Sequence, residues 1–217
     1  TGKGGTQAIS GLPFRPDLVW IKSRTQDEAQ NHNLYDTVRG ANVRLRSNTT
    51  SAEATDNNAL MSFDKNGFIL GDDSHHNQSG ETYVGWAWDA GDSDPASNTN
   101  GSITSTVKSN GDFAVISYTG NGTASATLGH SLSAAPDFVI VKNRSTGSTN
   151  WNIWGNGTNF TRFGQFGTQS ERTDTQYHPT MGSTTITLPS TNDGAWNTSS
   201  DNYIMYAWRN VTGKQQF

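Results

Sequence analysis

The sequence contains no cysteine, little charge and no long apolar run, and each absence argues against a class of protein. Without Cys among its 217 residues, the chain has no disulfide, no thiolate metal site and no Cys nucleophile. Its 15 Lys and Arg against 19 Asp and Glu form no sustained basic cluster, so nucleic acid is not an expected partner. No apolar segment approaches the ~18–20 residues that span a bilayer, so membrane insertion is not expected.

Helical periodicity is missing as well. Nowhere do apolar residues recur at i, i+3, i+4 and i+7 over three turns, so we expect little helix. Hydrophobic residues make up only 31% of the chain, and Gly, Ser, Thr and Asn, the residues of turns, fill much of the balance. A disordered chain of this kind would carry a high net charge and few aromatics, whereas this one has net charge −4 and seven Trp. The composition therefore predicts short strands packed around large aromatic side chains.

Similar blocks of sequence occur twice, about 120 residues apart. "PDLVWIKSR" at 16–24 corresponds to "PDFVIVKNR" at 136–144. "ETYVGWAWDA" at 81–90 corresponds to "DNYIMYAWRN" at 201–210. Blocks in one order at a nearly constant separation indicate an internal duplication. The apolar runs that follow Pro-Asp predict strands covered on both faces.

We therefore predict an all-β protein of two tandem homologous β-sandwich repeats, of the jelly-roll or concanavalin type. The first repeat would span 1–96 and the second 97–217, with the acidic, Pro-containing segment 89–101 as linker. Each copy is long enough to bury its own core; the alternative keeps both copies in one sandwich, one per sheet. A hairpin is expected at 63–70, where Asn66-Gly67 would supply the positive φ values of a tight turn.

The second repeat is preceded by two predicted strands that the first repeat lacks. They lie in "GSITSTVKSNGDFAVISY" at 101–118, directly before Thr119, which corresponds to Thr1. Either the first repeat does without these strands, or they lie outside this sequence. We infer that the residues are an excerpt from a longer repeating protein. An edge left open by missing strands would invite pairing with another chain.

These motifs resemble a repeat of the large virion proteins of tailed phages, especially marine phages. The resemblance rests on "SYTGNG" at 117–122, on "PDFVIVKNR" and on the closing strand "DNYIMYAW", and in the first repeat on "LYDTVRG" at 34–40 and "SFDKNGFILG" at 62–71. It implies a place on the virion in a tail fibre or related appendage, other virion proteins as partners and, by analogy with fibres, a homotrimer. It carries over no catalytic residue.

The candidate ligand-binding residues are aromatic. Trp196 in "NDGAWNTSS" and Tyr177 with His178 in "TQYHPT" lie among polar, loop-like residues, and Trp154 is a further candidate. An exposed aromatic ring with polar neighbours is suited to a sugar ring, so host-surface polysaccharide is a candidate ligand. The alternative is that these loops fold back onto the sandwich. The Trp residues of the predicted strands are instead expected in the core: Trp20, Trp86, Trp88 and Trp208.

The candidates for metal ligands lie in "GDDSHHNQSG" at 71–80: Asp72, Asp73, His75 and His76. His and Asp are common metal ligands, but a hydrated loop explains the same residues, so no metal and no cofactor is expected. No predicted strand places two carboxylates together, as sugar hydrolysis requires, and no Gly-x-Ser-x-Gly elbow occurs. The chain is therefore not expected to be an enzyme.

The sequence thus predicts a non-enzymatic structural protein of a phage virion. It would be a tail-fibre-like appendage that acts as a rigid spacer, with host-surface glycan binding as an additional role. The alternatives are a glycan-degrading tail-spike enzyme and a capsid decoration or other head-surface protein.

Overall fold

The computed structural model describes residues 1–25, 30–155, 164–166, 175–189 and 194–216. Strands make up 44% of the chain and helices 3%, so the prediction of an all-β fold with little helix is confirmed. The helices are a single turn each: α1, Ser74–Asn77, and a 3₁₀ helix, Thr175–Tyr177. Among the described residues, no helix is long and apolar enough to cross a membrane.

The first half of the chain forms two antiparallel sheets. Its strands are β1 Gln7–Ser10, β2 Leu18–Ser23, β3 Asn33–Asp36, β4 Gly40–Arg46, β5 Ala54–Thr55, β6 Leu60–Asp64, β7 Gly67–Leu70 and β8 Tyr83–Trp88. The small sheet has the order β1-β7-β6, and the large sheet has the order β5-β4-β3-β2-β8. β8 is therefore an edge strand.

The second half also forms a small and a large antiparallel sheet. Its strands are β9 Ala96–Asn98, β10 Ser105–Ser109, β11 Phe113–Thr119, β12 Thr127–Gly129, β13 Phe138–Asn143, β14 Asn152–Gly155, β15 Gly164–Gln165, β16 Thr180–Met181, β17 Thr185–Thr187 and β18 Asn202–Trp208. The small sheet is β12-β17-β16 and the large sheet is β15-β14-β13-β18-β11-β10-β9. The order β15-β14-β13-β18 matches β4-β3-β2-β8, and the strands β9 to β11 extend the second large sheet beyond β18.

The two Pro-Asp strands lie inside the large sheets, as their apolar sequences predict. β2 pairs with β3 and β8, and β13 pairs with β14 and β18. Alternate side chains of a strand point to opposite faces. Leu18 and Val19, on opposite faces of β2, are both almost fully buried. Both faces of the sheet are therefore covered.

The four sheets stack as four layers with an apolar core in each gap. In the first half, Val19 and Tyr35 of the large sheet pack with Phe68 of the small sheet. In the second half, Met205 of the large sheet packs with Leu128 of the small sheet. Each half thus has a core between its own two sheets.

The middle core is shared by the two halves, because the two large sheets pack face to face. Leu18 and Leu34 from the first half join Ile140 and other residues of the second half in one buried cluster. Trp88 and Trp208, which occupy corresponding positions in the similar sequence blocks, meet edge to face with ring centroids 5.9 Å apart. The alternative prediction placed both copies in one sandwich, with one copy in each sheet. That arrangement fits only the two middle layers. The division into 1–96 and 97–217 stays a prediction.

Two local predictions differ from the structure. Segment 89–101 is not wholly a linker, because β9 forms inside it and pairs with β10. The hairpin β6–β7 is present, but its turn residues are Lys65 and Asn66, and positive φ at Asn66 is not observed. Gly67 is needed for another reason, since a Cβ there would collide with the carbonyl of Ile9 on β1. The glycine permits close packing of backbones.

A buried ion pair joins the halves beside the middle core. Lys108 Nζ on β10 lies 2.6 Å from Asp17 Oδ1, and both side chains are almost fully buried. The Asp17 carboxylate also accepts hydrogen bonds from Thr37 Oγ1 and from the Ala90 N–H, each at 2.8 Å. Asp17 therefore links the start of β2 and the end of β8 to the second half.

We predict that Lys108→Met lowers the free energy of unfolding by about 3–5 kcal/mol, because Asp17 is left as an uncompensated buried charge. Urea denaturation measures the change. The matched control is Lys214→Met. The Lys214 side chain pairs with Asp112 but is 59% exposed, so its loss should cost less than about 1 kcal/mol. The double variant Asp17→Asn with Lys108→Met should recover part of the loss. Equal losses for the Lys108 and Lys214 variants would contradict the prediction.

Candidate functional site

Trp196 is not an exposed sugar-binding residue. Its side chain is 1% exposed and belongs to the core between the two sheets of the second half. Its carbonyl accepts a hydrogen bond of 2.7 Å from the Tyr118 hydroxyl. The loop folds back onto the sandwich, so the ring presents no face to a ligand.

The other predicted sugar ligands are half-buried. Trp154 lies on β14 and packs against the same core as Trp196. Tyr177 ends the 3₁₀ helix, and His178 follows it directly. Sugar binding by Trp154, Tyr177 and His178 stays a prediction.

Among the Asp and His residues of 71–80, Asp73 caps the short helix α1. Asp73 is the N-cap of α1 and accepts a hydrogen bond of 2.6 Å from the His75 N–H. Its Oδ1 also lies 3.0 Å from Nδ1 of His75 and 3.3 Å from Nδ1 of His76. Asp72 is exposed. In the part of the chain that the structure describes, no group of three or more His, Asp or Glu is arranged to hold a metal ion.

His76 is a buried structural residue. Its Nε2 lies 2.9 Å from the Tyr35 hydroxyl, and the two rings pack edge to face with centroids 5.5 Å apart. Burial lowers the pKa of His76, and the nearby Asp73 carboxylate opposes this only in part. The neutral imidazole therefore joins α1 to β3.

The surface that sequence reasoning missed is the outer edge of β8, where Trp86 lies. Trp86 was expected in the core but is 45% exposed. It packs edge-on against Trp20, with ring centroids 5.9 Å apart, and Trp20 Nε1 donates to His32 Nδ1 at 3.3 Å. The corresponding residue on β18, Tyr206, is fully buried. Trp208 is buried as predicted, while Trp20 and Trp88 are half-buried against the middle core.

An apolar groove lies on the other face of β8, between this strand and the small sheet. Its volume is about 210 Å³. Tyr83 and Ala87 form the β8 side, and these side chains also pack at the border of the first half's core. Val84 of the same strand also lines the groove, and the remaining apolar lining comes from other elements: Ile9, Leu12, Ile21, Phe68 and Leu70.

The buried carboxylates of the middle layers are closed to a substrate. Asp36 and Arg39 have fully buried side chains and form an ion pair of 2.5 Å. The Tyr206 hydroxyl donates to Asp36 at 2.7 Å, and Arg39 donates to that hydroxyl at 3.3 Å. Burial raises the pKa of Tyr206 well above its usual value. This cluster ties the halves together and has no exposed group that could transfer a proton.

Lys142 is a further buried cation at the contact between the halves. Its side chain is fully buried, and its ammonium donates to the carbonyls of Thr50 and Thr149 at 3.0 and 2.9 Å and to Thr149 Oγ1 at 3.2 Å. These acceptors are neutral. Burial therefore lowers the pKa of Lys142 to about 8.

We predict that the free energy of unfolding rises with pH between about 8 and 10 because of Lys142. The ordinary Lys value is 10.5, so in this window the unfolded chain binds more protons than the folded chain, and deprotonation favours folding. Urea denaturation across this pH window measures the free energy of unfolding. Lys142→Met should flatten its rise with pH, whereas Lys214→Met should leave that rise unchanged. An unchanged slope in Lys142→Met would contradict the assignment.

The whole chain, residues 1–217, matches the model of one family, described as a domain of unknown function (DUF7483). No curated protein and no solved structure matches the chain.

Proposed function

The chain belongs to the DUF7483 family, and we propose that it is a non-enzymatic structural module of a phage virion, a rigid spacer in a tail-fibre-like appendage. The observation that carries the spacer role is the shared middle core. Interfaces between domains that move are usually small and polar, whereas this one buries Trp208, Tyr206 and Leu18. Hinge motion between the halves would expose these side chains to water.

The place on a virion is supported by the sequence resemblance. The Pro-Asp strands and the closing strands β8 and β18, which carry the resemblance to phage repeats, are also the strands that build the middle layers. Other virion proteins are the expected partners, and a homotrimer is the expected assembly. A stiff unit that is repeated along a chain extends an appendage without a new fold for each step.

The non-enzymatic role is supported by the carboxylates. Asp17 and Asp36 are buried and paired with Lys108 and Arg39, and Glu53 is held by Arg144 through two hydrogen bonds of 2.7 and 2.8 Å. A glycosidase needs two carboxyl groups that face a sugar in a groove. These three carboxylates serve the packing of the halves instead.

We predict that antibody raised against the chain labels the tail or its fibres when virions are imaged by electron microscopy. Labelling of the head would favour the capsid decoration role, and virions without any label would contradict a virion protein. The purified chain should release no reducing sugar from host polysaccharide. Release of reducing sugar would overturn the non-enzymatic role in favour of a tail-spike enzyme.

A second function, contact with host-surface glycan, is favoured by the exposed Trp86. A Trp ring supported by Trp20 offers an apolar face for a sugar ring, and His32 beside it offers a polar partner. This surface differs from the predicted Trp196 position, which is buried.

We predict that Trp86→Ala lowers binding to the glycan recognised on an array by at least about tenfold, the loss typical of a central aromatic contact. Met61→Ala is the matched control, because Met61 is 44% exposed and lies on the small sheet; it should leave binding unchanged. Equal binding by both variants, or no glycan bound by the parent chain, would reject glycan contact at Trp86 and leave the spacer role.

A further inference from the structure

We propose that the buried side chains of Lys108 and Asp17 condense to an isopeptide bond, an amide between Lys108 Nζ and Asp17 Cγ. This would be a covalent modification site that joins the two halves of the chain, and it does not depend on the virion role. Three observations carry the inference: the contact between the two groups, their burial in an apolar layer, and the donors around the carboxylate.

The fold holds the reacting groups in contact. Lys108 Nζ lies 2.6 Å from Asp17 Oδ1, so the nitrogen is already beside the carboxyl carbon. Lys108 is fixed on β10, between β9 and β11, and Asp17 directly precedes β2. Groups that a fold keeps together in this way react as though they were very concentrated, which removes much of the barrier to condensation.

The pair lies in an apolar layer. The side chains of Lys108 and Asp17 are 2% and 0% exposed. Lys108 is in register with Val115, and Asp17 is followed by Leu18; Val115 and Leu18 both belong to the middle core. Because an apolar environment disfavours charged groups and desolvation makes a lysine amine a better nucleophile, this layer favours a neutral amine beside a neutral carboxylic acid. That is the pair from which an amide forms.

Each oxygen of the Asp17 carboxylate has a donor of its own. The Thr37 hydroxyl donates to Oδ1 at 2.8 Å, and the Ala90 N–H donates to Oδ2 at 2.8 Å. A fixed backbone N–H stabilises negative charge that develops on the oxygen it contacts. A hydroxyl can accept one proton while it gives up another, so Thr37 can relay a proton to Oδ1. The two oxygens therefore have different roles.

The condensation needs no other reactant. The Lys108 ammonium transfers one proton to Oδ1, and the neutral amine then attacks Asp17 Cγ, while the Ala90 N–H stabilises the charge on Oδ2. A second proton passes from the nitrogen to Oδ1 through the Thr37 hydroxyl. The bond between Cγ and Oδ1 breaks, and Oδ1 leaves as water. The new amide keeps one N–H on Nζ and has Oδ2 as its carbonyl oxygen.

Two other ion pairs show why this pair is suited to the reaction. Lys214 Nζ lies 2.7 Å from Asp112, but the Lys214 side chain is 59% exposed, so water keeps both groups charged. The side chains of Arg39 and Asp36 are fully buried, but a guanidinium stays protonated and offers no lone pair for attack. Lys108 and Asp17 combine an amine with burial.

The cross-link would tie the halves together covalently in a chain that has no cysteine. It would join a residue of the first half to a residue of the second, beside the core that they share. Like a disulfide, it would restrict the unfolded chain and so favour the folded state. The two large sheets could then not separate without breaking a covalent bond.

The experiment measures the intact mass of the purified full chain under denaturing conditions. The parent chain should be lighter than its sequence by the mass of one water molecule. A protease digest should contain a branched peptide that joins Asp17 to Lys108, whereas Lys214 and Asp112 in the same digest should remain unlinked. A folded parent chain with the full mass of its sequence would overturn the proposal, and so would a loss of water that maps to other residues.

The matched control is Lys108→Arg, which keeps a cation beside Asp17 but removes the nucleophilic amine. It should have the full mass of its sequence, and circular dichroism checks that it is folded. A second variant, Thr37→Val, keeps both reacting groups and removes the relay. After cell-free synthesis, it should lose water at least about tenfold more slowly than the parent chain. Loss of water by Lys108→Arg, or an unchanged rate in Thr37→Val, would contradict the assigned chemistry.

Discussion

The packing of the two large sheets against each other is the constraint on which the rest of the structure depends. The middle core forces strands β2 and β13 to be apolar on both faces, because each strand contacts a small sheet on one side and the other half on the other. It also explains why Trp88 and Trp208 meet across the contact. Two sandwiches joined only by a linker would need polar residues on these faces.

The contact between the two large sheets also buries charged residues, and each buried charge therefore needs a partner. Asp17 pairs with Lys108, Asp36 pairs with Arg39, and Lys142 has three oxygen acceptors. Buried ion pairs contribute little net stability compared with apolar packing, but an unmatched member is costly. We infer that the pairs fix how the halves sit together, since a shifted arrangement would leave charges alone.

Sequence reasoning correctly identified the strands, which depend on local patterns. It missed the burial of single side chains, which depends on distant elements of the fold. The apolar runs after Pro-Asp correctly predicted the central strands, and the scarcity of helical periodicity correctly predicted an all-β fold. The loop pattern around Trp196 looked exposed, because nothing local reveals that the loop folds onto a core. Trp86 looked buried, because its strand matches β18. β8 is an edge strand because the described part of the chain places no strand on its outer side. The residue type was informative in both cases, but burial was decided by a distant element.

Corresponding residues of β8 and β18 differ according to whether a strand lies beside them. Where β11 lies beside β18, the second half has Met205 and a buried Tyr206; where β8 has an open edge, the first half has Gly85 and an exposed Trp86. An edge strand with exposed apolar groups readily adds another strand. The shared core is the rigid body that holds this edge in place.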